Sequence, residues 1–389
     1  MEHKLIYADN SATTPVSRAA LDAMLPLFST GYGNPSAIYS LGQEAKKCLE
    51  ASRRKVAAAL GARNNEIFFT SGGTEGDNWA LFSVCEQYAP RGRHIISTQI
   101  EHSAVLRTLE KLEERGFEVT LLPPAENGMV SAGDLRRAIR ADTILVSIMT
   151  ANNVTGTILP IKELCAAAHE RRVLFHTDAV QAAGHIPIGV RETGVDLLTI
   201  SAHKFHGPKG AGALYARVPL IPFPLIFGGG QEKGRRSGTE NVPLIAGMAA
   251  ALEEAVQNME ENNRRISALR DRLIAGVLAI PGTRLTGHPE ERLPGLASFV
   301  FEGLEGVEGQ NLVVLLDREG ICVSSGSACS VGSVNPPAPL LAMGYGQKLA
   351  RSALRVSLSV YNTGDEVDRI LALLPGIVET ARNAGRPGF

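Results

Sequence analysis

The chain has 389 residues, 44% of them hydrophobic, with 39 Lys and Arg set against 40 Asp and Glu for a net charge of −1. That size predicts two or three domains at roughly 150 residues each, and the even charge argues against a protein dedicated to nucleic acid or a membrane surface. The most apolar tract, Val218 to Phe227, is broken by Pro219, Pro222 and Pro224 and is too short for the roughly 20 residues of a bilayer span. Glu2, His3, Lys4 and Asp9 interrupt any apolar leader, so a cytoplasmic location is expected.

In chain order, β-rich runs at 66–70, 94–97, 119–122, 143–148, 173–177 and 196–200 alternate with amphipathic helical patterns at 43–60, 74–88, 103–115, 131–140 and 161–171. Such alternation predicts an α/β fold with a mostly parallel sheet covered by helices. After Gly228–Gly230 a long helical pattern runs from about 242 to 280, where Pro281 and Gly282 stop it. A second, smaller domain is expected beyond it: a strand at 297–301, a helix at 309–318, short strands at 321–323 and 353–358, and a closing helix near 365–381. No repeat of solenoid period is present.

Five cysteines, at 48, 85, 165, 322 and 329, form no CxxC pair and no zinc-ligand spacing, and their odd number does not suit a disulfide framework. Cys48, Cys85 and Cys165 fall in helical patterns as small hydrophobes. Cys329 lies instead in Ser324-Ser-Gly-Ser-Ala-Cys329, a run of small residues that suggests a mobile loop and an accessible thiol.

Three further stretches carry chemistry. The run 66–70 leads into Ser71-Gly-Gly-Thr-Glu-Gly76 and then a helix, which places free backbone N–H groups at a helix N-terminus, a geometry that binds phosphate; capping by Ser71 or Thr74 is the alternative. Asp178, with Gln181 three residues on, projects from the carboxyl end of a buried strand, where open α/β sheets bind ligands; taken alone, it reads as a cap of the next helix. Lys204 follows another buried strand, and an amine held near a sheet can become a Schiff-base nucleophile. A lysine, an acid for a ring nitrogen and a phosphate cradle are together the requirements of pyridoxal phosphate.

With these motifs the chain resembles the class V aminotransferase family and, within it, the cysteine desulfurases of the NifS and IscS type. The resemblance spans nearly the whole length and rests on Tyr7-Ala-Asp-Asn-Ser-Ala-Thr-Thr14, Gly33-Asn-Pro35, Thr70–Glu75, Glu101-His102, Asn152-Asn153, Asp178-Ala-Val-Gln181, Ser201-Ala-His-Lys204, Arg236-Ser-Gly-Thr239, Ser324–Cys329 and Arg355. It implies a fold type I pyridoxal-phosphate enzyme, with a large domain over 14–256 built on a mostly parallel seven-stranded sheet. Residues 1–13 and 257–389 would form the smaller α+β domain bearing the cysteine loop.

By the same resemblance Lys204 holds the cofactor and moves protons, Asp178 keeps its ring nitrogen protonated, Gln181 bonds its phenolic oxygen and His102 stacks on its ring. Gly73, Thr74, Ser201 and His203 match phosphate-holding positions, and Thr239 matches one that serves the neighbouring subunit of a homodimer. Asn153 and Arg355 match receivers of the substrate carboxylate. Cys329 would take sulfur from L-cysteine as a persulfide, leaving L-alanine, and pass it to an acceptor such as an iron–sulfur scaffold or a tRNA-thiolation relay. His206 departs from the family, where Tyr is common.

Selenocysteine lyase or aminotransferase chemistry on the same fold is the near alternative, and the Cys329 loop discriminates for desulfuration. Ser201-Ala-His-Lys204 also fits the S-x-x-K pattern of penicillin-recognising enzymes, but no K-T-G follows. His169-Glu170 begins an H-E-x-x-H zinc motif in which Val173 replaces the second histidine. A cysteine-borne metal cluster is disfavoured because only two of the five cysteines are close in sequence.

Overall fold

The computed structural model describes residues 5–304, 309–326 and 336–384, so Cys329 lies outside the described residues. A two-residue strand, β1 (Ile6–Tyr7), precedes the main sheet. That sheet comprises β2 (Ile67–Thr70), β3 (His94–Thr98), β4 (Glu118–Leu122), β5 (Thr143–Ser147), β6 (Leu174–Asp178), β7 (Leu197–Ser201) and β8 (Gly212–Ala216). Its spatial order is β2, β8, β7, β6, β5, β3, β4.

The pairs from β7 across to β4 are parallel, whereas β8 runs antiparallel to both β7 and β2. The stretch between Ser201 and Gly212 is too short for a helical crossover, so the chain must turn back as a hairpin. Strand β8 is absent from the sequence-based expectation because Gly-Ala-Leu-Tyr-Ala has no β-branched residue to mark it. It is nonetheless buried throughout, as are β2, β3, β5 and β7, which is why these strands read as continuous rather than alternating apolar runs.

Helices cover both faces. One core layer gathers Leu164, Phe175, Ile200 and Met248, and the other gathers Trp79, Val84, Val105 and Leu109. The long pattern predicted over 242–280 is two helices, Val242–Gln257 and Met259–Leu278. Asn258 separates them at φ −101° and ψ 8°, with its side-chain amide donating to the Glu254 carbonyl, a local bond that competes with the helical ladder.

A separate core joins Ile6 and Ala8 to Phe299, Leu316, Ile321, Val356 and Leu374. It is built on β9 (Thr283–Leu285), β10 (Leu296–Phe301), β11 (Ile321–Cys322) and β12 (Leu354–Ser357), with β12, β10 and β9 antiparallel and β1 beside β11. The amino-terminal segment therefore belongs, by packing, with the last third of the chain.

A buried ion pair ties the helix Ser40–Leu60 to the loop after Phe227. Arg53 is 3% and Glu232 5% exposed, and two 2.7 Å hydrogen bonds link their side chains in parallel. Glu232 also accepts from the Phe69 N–H at 3.0 Å, and the Arg53 guanidinium stacks 4.5 Å from the Phe69 ring. Removing one member of such a pair strands its partner's charge, so Glu232→Ala is expected to lower stability by about 3–5 kcal/mol. Urea unfolding checks this, and the double variant R53M/E232L should recover most of the loss.

Candidate active site

A cavity of about 560 Å3 opens at the carboxyl ends of β6 and β7 and is bounded on its far side by Arg355 and the Pro336–Pro339 segment. Asp178 is the last residue of β6, and Lys204 sits in the single helical turn that follows β7. Parallel pairing of these two strands sets them side by side, with Asp178 opposite Thr199. Strand register thus delivers an acid and an amine to one wall.

The Lys204 amine donates to the carbonyls of Ser11 at 2.6 Å and Ala12 at 2.9 Å. Behind it, His185 meets the Lys204 carbonyl at 2.9 Å, and burial pushes the His185 ring down to about 4, so it adds no charge at neutral pH. Asp178 is 6% exposed and accepts from the Val180 N–H at 2.9 Å. Burial raises its proton affinity, and the nearby His102 ring and Lys204 amine oppose that rise. Gln181 donates to the Ser11 carbonyl at 2.9 Å, which fixes its amide at the rim.

His102 caps the helix Ser103–Glu113, its Nδ1 accepting from the Ala104 N–H at 3.2 Å. That bond assigns the ring proton to Nε2. His203 bonds the Thr13 hydroxyl at 3.1 Å, and burial together with Lys204 and Lys209 pushes its ring down to about 4.

The helix Gly73–Tyr88 begins at the cavity floor, with Gly72 before its first turn. An added Cβ on Gly212 would meet the Gly72 backbone at 2.7 Å, so only glycine lets the loop lie flat on β8. Glu75 ties this loop down by accepting from the Ser71 N–H at 2.9 Å and the Ser71 hydroxyl at 2.6 Å. Arg236 clamps the same carboxylate at 2.8 and 2.9 Å. Burial works against the Glu75 charge, yet Arg236 and Ser71 hold it below the usual carboxylate range. Thr74, Ser201 and His203 ring the free N–H groups of the first turn, and all three line the cavity.

These residues fit pyridoxal phosphate on the chemistry of their donors: an amine able to condense with an aldehyde, a buried acid beside it, and an anion cradle at the N-terminus of a 16-residue helix. Asp77, His102 and Asp178 also bring one polar atom each to within 4.8 Å of one another, a spacing compatible with a metal ion. A metal alone would leave the amine and the anion cradle unused.

Arg355, 1% exposed, closes the other side. It donates to Asp9 at 2.7 Å, to the Asn153 carbonyl at 2.8 Å and to the Gly326 carbonyl at 3.2 Å. Its Nε–H has no partner among the described residues, a donor suited to a carboxylate. Asn153 lies beside it on the cavity wall.

The structure therefore gathers Gly73, Thr74, His102, Asn153, Asp178, Gln181, Ser201, His203, Lys204 and Arg355 around one cavity. Thr239 is exposed and does not line it. Cys329 falls outside the described residues. His206 takes a left-handed φ of 64°, bonds the Pro15 carbonyl at 2.9 Å and packs edge-on to Tyr361, away from the cavity. The thiols of Cys85 and Cys165 are buried and pushed up to about 12, in keeping with inert packing roles, while Cys48 is only half-buried.

Sequence reasoning misses Asp9, Asp77 and the Ser11 and Ala12 carbonyls. Asp77 is detectable in principle, because it lies one turn beyond Gly73 and so shares that residue's face of the helix.

The class V aminotransferase model matches residues 6–370. A cysteine desulfurase IscS from Methanosarcina thermophila is 51% identical over 382 residues, 98% of this chain and 94% of that protein. Another from Clostridium botulinum (strain Hall) is 47% identical over 98% of this chain and 96% of its own length. Among solved structures, a NifS-like protein superposes with a TM-score of 0.91 at 40% identity, over 97% of this chain and all (100%) of the other. SspA in complex with cysteine gives a TM-score of 0.81 at 33% identity, over 92% of this chain and 100% of that one. The chain is thus an enzyme of the class V aminotransferase family and belongs, within it, to the cysteine desulfurases of the NifS/IscS type.

Proposed function

We propose that this enzyme, loaded with pyridoxal phosphate on Lys204, removes sulfur from L-cysteine, yielding L-alanine and a persulfide on Cys329. The observation that carries the reading is the meeting of Lys204, Asp178, the Gly73 helix terminus and Arg355 around one cavity. A solved relative that binds cysteine supports the choice of substrate.

When bound, the cofactor supplies an electron sink that makes the substrate Cα–H acidic. Arg355 and Asn153 orient the amino acid by its carboxylate, and Lys204 takes and returns the Cα proton. Asp178 holds a proton at the ring nitrogen, Gln181 bonds the phenolic oxygen, and His102 covers the ring. Gly73, Thr74, Ser201 and His203 hold the phosphate. The Cys329 thiolate attacks the substrate sulfur; a sulfur–sulfur bond forms, the Cβ–S bond breaks, and its electron pair ends as a C–H bond of alanine.

We read residues 14–256 as the large domain, with 1–13 and 257–389 as the smaller one; the separate core that joins Ile6 to Phe299 and Leu374 supports this division. A homodimer is part of the same reading. Thr239 is exposed outside its own chain's cavity, and the nearby Pro-rich segment shows apolar surface, with Phe227 76% and Ile221 51% exposed. No helix among the described residues is long and apolar enough to cross a membrane. We assign the enzyme a cytoplasmic, iron–sulfur-directed or tRNA-directed role.

The deciding experiment adds L-cysteine to the purified, cofactor-loaded protein. Alanine formed in step with sulfide under a thiol reductant supports the reading, and absence of both rejects it. Arg355→Lys removes the planar fork but keeps the charge. It is expected to lower kcat/KM for cysteine roughly 10- to 100-fold through KM, with the visible cofactor spectrum intact.

A further inference from the structure

Asp77 projects from the helix Gly73–Tyr88 onto the same cavity floor as Asp178 and has no place in the roles assigned above. It is 1% exposed, and its Oδ1 has no hydrogen-bond partner among the described residues. Gly76 explains how it reaches so deep: a Cβ there would meet the Thr199 methyl at 2.5 Å, so the helix lies unusually close to β7. A carboxyl group with an orphaned oxygen is costly to bury and needs a reason.

The groups that face it are few. His176, on β6, approaches to 3.7 Å, but burial pushes its ring down to about 3, so it stays neutral and forms no ion pair. Its own bonds go to the hydroxyls of Ser147 at 2.9 Å and Thr199 at 3.1 Å. Thr199, on β7, also supports the Asp77 carboxylate. Glu101, beyond β3, is pushed up to about 8 by burial, against the bonds from Thr98 and Met149, and so brings no charge at neutral pH. His102 and Asp178 complete the circle, each with an atom within 4.8 Å. Lys204 bears on Asp178 from the far side.

We propose that Asp77 is a positioning residue that acts through Asp178, its carboxylate strengthening the hold of Asp178 on the proton of the cofactor's ring nitrogen. The inference rests on the functional reading above and goes beyond it. Two carboxyl groups this close titrate as a unit, and each raises the other's affinity for a proton, while His102 and Lys204 oppose the rise on Asp178. Burial and the nearness of Asp178 both raise the proton affinity of Asp77, as that coupling requires. With the cofactor bound, Asp178 would be the member of the pair that holds the ring-nitrogen proton. Asp77, whose own ionisation burial and Asp178 defer to higher pH, adds its charge behind Asp178 in the range where the ring proton would otherwise leave, and so keeps it there to higher pH.

The sign can be tested with the holoenzyme carrying pyridoxal phosphate labelled with 15N in its ring, whose nitrogen shift reports protonation directly. Asp77→Asn keeps size and hydrogen bonding while removing the negative charge, so the pH midpoint for loss of the ring proton should fall by about one unit or more. Thr199→Val withdraws the hydroxyl that favours ionised Asp77, and should move the midpoint in the same direction by a smaller step. If Asp77→Asn does not fold, Thr199→Val carries the test alone. A folded variant whose midpoint matches the parent's, even with a lowered melting temperature, overturns the inference and leaves Asp77 a packing residue. A parent protein that takes up no cofactor overturns the functional reading and this inference together.

Discussion

Lys204→Ala protein purified from cells supplied with pyridoxine will show none of the visible absorbance of a lysine-bound cofactor, and dialysis will strip it of pyridoxal phosphate. Two separate losses produce this result. Lys204 is the one lysine among the described residues that line the cavity, and in the proposed mechanism the same amine moves the substrate Cα proton. Loss of a positioned proton-transfer group alone costs about 10²- to 10⁴-fold in rate, so alanine production should fall at least to that extent. The fold should survive, because Lys204 is not fully buried and its described bonds run to two loop carbonyls, of Ser11 and Ala12. Absorbance spectra before and after dialysis are the measurement. A variant that keeps the parental chromophore would move the covalent attachment elsewhere and remove the basis of the functional reading.

Cys329→Ser should separate cofactor chemistry from sulfur transfer. Its spectrum will match the parent's, and addition of L-cysteine will still perturb it, because the proposed cofactor contacts do not include Cys329. Sulfide release in the presence of a thiol reductant should nevertheless fall by more than about a hundredfold, since a serine hydroxyl is not ionised at neutral pH and does not attack sulfur. Mass spectrometry gives an independent reading: the parent incubated with cysteine should gain one sulfur on the peptide bearing Cys329, and the variant none. Turnover at the parental rate would instead indicate a lyase that expels sulfide without a protein acceptor.

Much of this site is legible in the sequence because each principal group stands at a strand end or a glycine turn. Asp178 ends one β-rich run and Lys204 follows shortly after another, and parallel packing of such runs brings their carboxyl ends together. The Ser71–Gly76 turn announces a helix N-terminus through its glycines alone. The features that sequence does not reveal arise from close approach across the fold. Strand β8 lacks β-branched residues and is a strand because β2 and β7 flank it. The break at Asn258 falls within a continuous apolar pattern, where period alone predicts one helix. Asp9 reads as a polar residue near the start of the chain, and the pairing of β1 with β11 together with its own bridge to Ser357 carries it to Arg355. Thr239 is reached by resemblance alone and does not line the cavity, whereas Cys329, marked by its run of small residues, lies outside the described residues.

Residues 9–12 touch three of the principal groups at once. Asp9 grips the guanidinium of Arg355, the Ser11 carbonyl accepts from both Gln181 and Lys204, and the Ala12 carbonyl accepts from Lys204 again. Just before them, Ala8 is anchored in the core of the last third of the chain. This short thread therefore works like a shared axle between two wheels. A backbone shift in this thread would move the partner of Arg355 and the acceptors of the Lys204 amine together, so these two halves of the site have little room to evolve independently.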